Sequence, residues 1–158
     1  MPNKTKRISE FFIFDIFIAI DSINRHSIEM EAVEDLTSNE LVYNSIMRSL
    51  EIIGEAMKNV LKNTTLKELS KPDWRNIVDF RNIVAHEYFG INYEEILNII
   101  KVELPELEKD LFLFIKKLKN NSNLILALDG TYKDLETINR KESLEYLVKI
   151  KKYLKNGF

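Results

Sequence analysis

Four side chains with chemical capability stand within eight consecutive positions of the chain: Arg81, Asn82, His86 and Tyr88. An arginine can hold a phosphate through two parallel hydrogen bonds. A histidine can give or take a proton near neutral pH, and a tyrosine hydroxyl can position a group or be modified. Together these side chains are suited to acid–base chemistry beside a bound phosphate.

The spacing of these residues decides which of them can act together. On an ideal helix Asn82 and His86 share one face, whereas Arg81 and His86 are about 140° apart around the axis. Arg81 and His86 therefore meet only if the arginine curls round, the helix end unwinds, or a second copy of the chain faces the first. Gly90 suits the position after a helix C-terminus, where the helix dipole favours a protonated His86. A lone histidine at a helix end is nevertheless more often a cap than a catalyst.

The order of these residues resembles a known family. Arg81-x4-His86-x-Tyr88 is similar to the Arg-x4-6-His motif of HEPN domains, in the form with a tyrosine two residues after the histidine, which belongs to the HepT-like toxins. The resemblance covers roughly residues 7–119 and leaves out residues 120–158. Beyond the motif, the matching residues in chain order are Arg48, Ile52-Ile53-Gly54-Glu55-Ala56, Trp74 and Leu104-Pro105.

The resemblance implies the fold and its division. We expect an up-and-down HEPN-type helical bundle in residues 1–119 and a C-terminal helical extension in residues 120–158, packed on or beside the bundle. The residues themselves point to the same fold class. Apolar and polar residues do not alternate at period two over any long segment, as they would in a strand, so the expected fold is all-α.

The resemblance also implies a metal-independent endoribonuclease that needs no cofactor. RNA carries its own nucleophile, the 2′-hydroxyl, so the protein has to remove that proton, hold the phosphate and protonate the leaving oxygen. His86 is then the acid–base group, Arg81 stabilises charge on the phosphate, and Asn82 orients the phosphate or His86. In the family, two motifs pair across a homodimer, which would bring Arg81 close to the His86 of a second copy.

Two further site-lining residues, Arg48 and Glu55, come from the resemblance alone. The residues themselves offer a simpler interpretation of Arg48, as the local ion-pair partner of Glu51 on a polar helix face.

A protein partner is implied as well. HepT-like toxins are encoded with a minimal (MNT-type) nucleotidyltransferase antitoxin, which can attach AMP to the tyrosine of the motif, here Tyr88. An adduct that carries a phosphate beside Arg81 and His86 should occupy the place of the substrate phosphate and block the site.

Two other interpretations remain open. In one of them the chain is a non-catalytic helical subunit that binds the nucleotide or substrate of a nucleotidyltransferase, and the acidic net charge of −2 favours this interpretation slightly. Expression of the chain alone is toxic under the ribonuclease interpretation and harmless under this one. In the third interpretation Arg81 and His86 are structural and pair with Glu51 or Glu55 inside a bundle.

The amino-acid composition excludes several classes of protein for this chain. Hydrophobic residues make up 45% and charged residues 30%, as is usual for a globular chain. The absence of cysteine excludes disulfides and thiolate metal sites, and His26 and His86 offer no clustered metal site. The acidic balance argues against a general nucleic-acid coat. No apolar run is long enough to cross a bilayer and no signal peptide is recognised, so we expect a cytoplasmic protein without membrane contact.

Apolar periodicity and capping residues predict the helices. The first, residues 7–26, is apolar almost all round, which indicates a dimer face or a central bundle helix. Asp15 within it either pairs with a buried partner or faces a solvent channel. The other predicted N-caps are Thr37 with Glu40, for a helix to Leu61, Ser70 with Pro72, and Asn92. Pro105 is predicted to kink or interrupt its helix near Leu104, and breaks are predicted at Asn120–Asn123 and at Asp129-Gly130. Helices are predicted at 132–139 and 141–156, the last docked through an apolar stripe.

Overall fold

The computed structural model describes residues 7–80 and 92–156, and in these ranges the chain is helical without a strand. The all-α prediction is therefore confirmed. In chain order the elements are α1 (Glu10–Ser27), α2 (Val33–Thr37), α3 (Glu40–Lys62), α4 (Thr64–Leu69), α5 (Trp74–Val78), α6 (Tyr93–Asn98), a π-helical turn (Ile99–Glu103), α7 (Leu104–Lys117), α8 (Ser122–Thr137) and α9 (Lys141–Asn156).

Helix α1 is the centre of the bundle. It packs against α3 most extensively and also against α7, α8 and α9. Each large apolar side chain that it buries contributes about 1.5–3 kcal/mol. Of the two roles predicted for this segment, the described structure assigns the central one. Its buried apolar residues are Ile13, Phe14, Ile16, Phe17, Ala19, Ile20 and Ile23.

The N-cap of helix α3 lies two residues after the predicted one. Thr37 is the last residue of α2, and the N-cap of α3 is Asn39, whose side-chain oxygen accepts a hydrogen bond from the Val42 amide at 3.2 Å. The predicted cap at Thr37 is wrong because Thr37 is part of α2. Asp35 holds the start of α2 by accepting from the amides of Ala32 and Glu31, and these bonds lower its pKa.

The predicted N-cap at Ser70 is also wrong. The Ser70 hydroxyl donates to the Lys67 carbonyl at 2.6 Å and so belongs to the end of α4. The next helix starts only at Trp74, after Asp73, and Pro72 precedes it. Ser70 and Pro72 instead lie in the turn between two short helices, α4 and α5.

Pro105 widens the helix instead of ending it. A proline has no amide hydrogen and its ring clashes with the carbonyl four residues earlier. The Leu104 amide donates to the Ile99 carbonyl, five residues back, and the segment between them forms a π-helical turn. The helix then continues into α7, with the proline in its first turn.

Helix α8 runs through Gly130, where a break was predicted. A Cβ added at Gly130 would lie 2.7 Å from Cζ of Phe11, so the glycine allows the aromatic ring of the α1 segment to approach the α8 backbone closely. The helix ends instead at Thr137, and Asn139 two residues later adopts a left-handed conformation with φ of 56°. The amides of Asn139 and Arg140 donate to the carbonyls of Glu136 and Leu135, as in a Schellman motif.

Helix α9 docks on the bundle through aromatic residues, as the amphipathic pattern predicted. Tyr153 and Phe112 meet edge to face with ring centroids 4.9 Å apart, and Phe112 contacts Phe17 in the same way at 5.0 Å. The Tyr146 hydroxyl donates to Oε2 of Glu108 at 2.7 Å, and burial followed by this bond raises the pKa of Tyr146. The division at residues 119/120 stays a prediction.

Within the described ranges, none of the helices has both the length and the apolar character that crossing a membrane requires.

The close approach at Gly130 predicts a context-dependent effect of alanine. Gly130→Ala should lower the free energy of unfolding by about 1 kcal/mol, because the ring of Phe11 has to move. In a Phe11→Ala background the same change should raise it by about 0.5–1 kcal/mol, since alanine is the better helix former. Urea unfolding of the four proteins measures both effects, and equal effects in the two backgrounds would contradict the packing.

Candidate active site

The residues of the predicted catalytic motif lie outside the described residues. Arg81, Asn82, His86, Tyr88 and Gly90 all fall in 81–91, between the two described ranges. Their roles stay predictions. The described structure gives the residues on either side of this segment and the surfaces beside them.

The N-terminal flank of the segment is fixed by two aromatic residues. Trp74 on α5 is 2% exposed, and its ring meets Phe114 of α7 edge to face with centroids 4.9 Å apart. Phe80, immediately before Arg81, is buried as well. Helix α5 packs against α3. The chain therefore enters the motif from a position anchored in the core.

The C-terminal flank also reaches α3. The side-chain oxygen of Asn92 accepts from the Glu95 amide at 3.2 Å and caps α6, as predicted. The ring of Tyr93 contacts the ring of Tyr43 on α3, with centroids 6.1 Å apart. Both flanks of the motif segment thus contact α3, which makes this helix the scaffold of the candidate site.

The outer face of α3 carries the two predicted site-lining residues. Arg48 donates from Nη1 to Oε2 of Glu51 at 2.9 Å, so the predicted local ion pair is confirmed. The Arg48 side chain is 67% exposed, and such a surface pair contributes at most about 1 kcal/mol. Its guanidinium can therefore turn to another anion at little cost.

Arg48 and Glu55 line the same groove between α1 and α3, which has a volume of about 240 Å³. On the α1 side the groove is bounded by Phe12 and Asp15. Asp15 pairs with Arg7 in a two-bond geometry, at 2.7 and 3.1 Å, and the hydrogen bond from Arg7 to this carboxylate raises the arginine pKa. The structure thus brings the two predicted residues together and gives Asp15 a partner at the surface.

A second concave surface, of about 790 Å³, lies where the end of α3, helix α4 and the start of α5 converge. We call it the cationic groove. Lys71 in it forms an ion pair with Asp110 at 2.7 Å, and this hydrogen bond raises the lysine pKa. Its described acidic lining residues are Glu68 and Asp79, and its described basic lining residues are Lys58, Lys62, Lys67, Lys71 and Arg75.

The cationic groove was not predicted from the sequence. A signal was present, because basic residues recur every four or five positions from Lys58 to Arg75. These residues lie at the end of α3, on the short helices α4 and α5 and in the turn between α4 and α5. Helical periodicity alone therefore does not place their side chains on one surface. Only the folding of α4 and α5 back against α3 brings them together.

Comparison with known proteins gives the family. The sequence model described as "Ribonuclease HepT-like" matches residues 16–112, more than half of the chain. A provisionally named RNase of Caldanaerobacter subterraneus is 43% identical over 86 residues, which cover 54% of this chain and 76% of that protein. Another provisionally named RNase, from Methanocaldococcus jannaschii, is 31% identical over 114 residues, which cover 72% of this chain and 97% of that protein.

A protein of Thermococcus cleftensis named as a probable ribonuclease HepT is 30% identical over 103 residues, which cover 65% of this chain and 92% of that protein. No solved structure matches the chain significantly. The family match encloses helix α3, both flanks of the motif and the motif itself, and it stops before α8 and α9. On these matches, the chain belongs to the HepT-like ribonuclease family of HEPN proteins.

Proposed function

We propose that this protein is a metal-independent endoribonuclease and the toxin of a toxin–antitoxin pair of the type VII kind. The observation that carries the proposal is the family match over residues 16–112, which encloses Arg81 and His86 in the spacing of the HEPN motif. The relatives, which are named as ribonucleases, support the same activity. We place the protein in the cytoplasm.

The reaction uses the 2′-hydroxyl of the RNA as nucleophile. His86 accepts the proton of that hydroxyl, and its oxygen attacks the neighbouring phosphorus. The bond from phosphorus to the 5′-oxygen breaks, and the protonated His86 gives its proton to this oxygen. Arg81 stabilises the negative charge that grows on the phosphate oxygens, and Asn82 orients the phosphate or the imidazole. The products are a 2′,3′-cyclic phosphate and a 5′-hydroxyl.

Two copies of the chain form the working site in this proposal. Arg81 and His86 are five positions apart, which sets them about 140° apart on an ideal helix. A homodimer that faces two motif segments toward each other removes this difficulty, because each phosphate then meets the arginine of one copy and the histidine of the other. Arg48 and Glu55, which share the groove on α3, line the same site.

Control of the activity rests on Tyr88 and a partner protein. We propose that an MNT-type nucleotidyltransferase antitoxin transfers AMP from ATP to the Tyr88 hydroxyl and releases pyrophosphate. The adenylyl phosphate then stands beside Arg81 and His86 and excludes the substrate phosphate.

Replacement of His86 should abolish cleavage. We expect His86→Ala to cut RNA about 10²–10⁴-fold more slowly than the unmodified protein, with EDTA present throughout, because the acid–base group is lost. His26→Ala is the matched control, since His26 is an exposed residue that bonds locally to Ser22. Equal cleavage by His86→Ala and His26→Ala would remove His86 from the mechanism. No cleavage by the unmodified protein would favour the non-catalytic subunit instead.

Mixing two inactive variants tests the shared site. Arg81→Ala and His86→Ala should each be inactive alone, whereas a mixed dimer holds one site with an intact arginine and an intact histidine. Cleavage should therefore return after the two proteins are unfolded together and refolded. A mixture that forms dimers and stays inactive shows that each copy uses its own Arg81 and His86.

Modification should be confined to Tyr88. Incubation with ATP and the nucleotidyltransferase should add the mass of AMP to the unmodified protein and to Tyr93→Phe, but not to Tyr88→Phe. Tyr93 is the matched control because it is 39% exposed and follows five positions later. Intact-protein and peptide mass spectrometry measure the adduct, and its presence on Tyr88→Phe would assign the modification to another residue.

A further inference from the structure

The cationic groove concentrates positive charge on a chain whose net charge is −2. Its described lining holds five basic and two acidic side chains. Within residues 7–80 and 92–156, Lys71 is the one of the five that forms an ion pair, with Asp110. Lys58, Lys62, Lys67 and Arg75 are exposed and make no ion pair with another described residue. Four positive charges therefore face solvent in one concavity.

The shape of the groove suits an extended anion. Lys58 and Lys62 follow each other by one turn of α3, about 6 Å along its axis. Lys67 comes from α4 and Arg75 from α5, so the charges are carried by three elements and surround a space of about 790 Å³. Leu61, which is half-buried, contributes an apolar surface on which lysine stems can lie while their ammonium groups stay in water.

The groove also adjoins the motif along the chain. Val78 and Asp79 line it, and they stand three and two positions before Arg81. Phe80 between Asp79 and Arg81 is buried, which fixes the point where the groove ends and the motif segment begins. The groove therefore lines the segment of chain that leads directly into the motif.

We propose that the cationic groove binds the phosphates of a single RNA strand on one side of the cleaved bond. This inference rests on the proposed ribonuclease activity and adds the surface that holds the substrate. Four of the five basic residues are lysines, which act as flexible point charges and contact phosphates without reading the base sequence. The groove therefore supplies affinity and direction to the strand, and it leaves sequence preference to other contacts.

Salt dependence of binding measures the number of phosphates that the groove neutralises. The test compares two proteins in the His86→Ala background, the parent and Lys58→Gln/Lys62→Gln/Lys67→Gln, by fluorescence anisotropy with a labelled single-stranded RNA. Three lost contacts should lower the slope of log Kd against log salt by about 2, at about 0.7 per phosphate for single strands. The ratio of the variant's Kd to the parent's Kd should therefore be about 20-fold smaller at about 200 mM salt than at about 50 mM salt.

The matched control removes the same charge elsewhere. Lys149→Gln/Lys152→Gln/Lys155→Gln replaces three exposed lysines of α9, outside the groove, and should leave the slope as in the parent. Circular dichroism and thermal unfolding confirm that both triple variants fold, as expected for exposed positions. An unchanged slope in the groove variant overturns the proposal, and so does an equal change in both variants or a parent that does not bind RNA.

The outcome is separable from that of the proposed function. If the unmodified protein cleaves RNA and the groove variant binds like the parent, the inference fails and the ribonuclease stands. If binding depends on the groove but no cleavage is found, the groove stands and the ribonuclease fails. A groove variant that binds RNA normally but no longer binds the nucleotidyltransferase overturns the proposal in favour of a protein-docking surface.

Discussion

The burial of α1 is the interaction on which the rest of the structure depends. Its apolar side chains face α3, α7, α8 and α9 at once, so the hydrophobic free energy of one helix holds four others in place. Because α3 packs against α1 and α5, its charged residues occupy the parts of its surface that these contacts leave open. Arg48 and Glu55 border the contact with α1, and Lys58 and Lys62 line the cationic groove near the end of the helix.

Helix α3 links these two surfaces. Arg48 and Glu55 lie along its middle, in the groove shared with α1. Lys58 and Lys62 lie in its last two turns and face the space enclosed by α4 and α5. The motif segment is attached to the same helix at both ends, through α5 and through the contact between Tyr93 and Tyr43. A rigid helix of 23 residues thus sets the distances between the charged surfaces.

The sequence was most informative where packing and local pattern agree. The helices α1, α3 and α9 follow from their apolar patterns. The predictions of helix caps and helix breaks were wrong where a competing contact decides the local structure. Asn39 replaces Thr37 because α2 already includes Thr37, and α8 continues through Gly130 because the ring of Phe11 uses the space of the missing side chain. The ion pair of Arg48 was local and therefore predictable, whereas the cationic groove depends on how three elements fold together.

The chemical identity of the RNA ends tests the central claim most directly. With EDTA present, cleavage through the 2′-hydroxyl leaves a 2′,3′-cyclic phosphate on one fragment and a 5′-hydroxyl on the other, and a substrate with deoxyribose before the cleaved bond stays intact. Mass spectrometry of the fragments distinguishes the ends. Fragments with a 5′-phosphate and a 3′-hydroxyl, or cleavage of the deoxyribose substrate at the same bond, would contradict the mechanism.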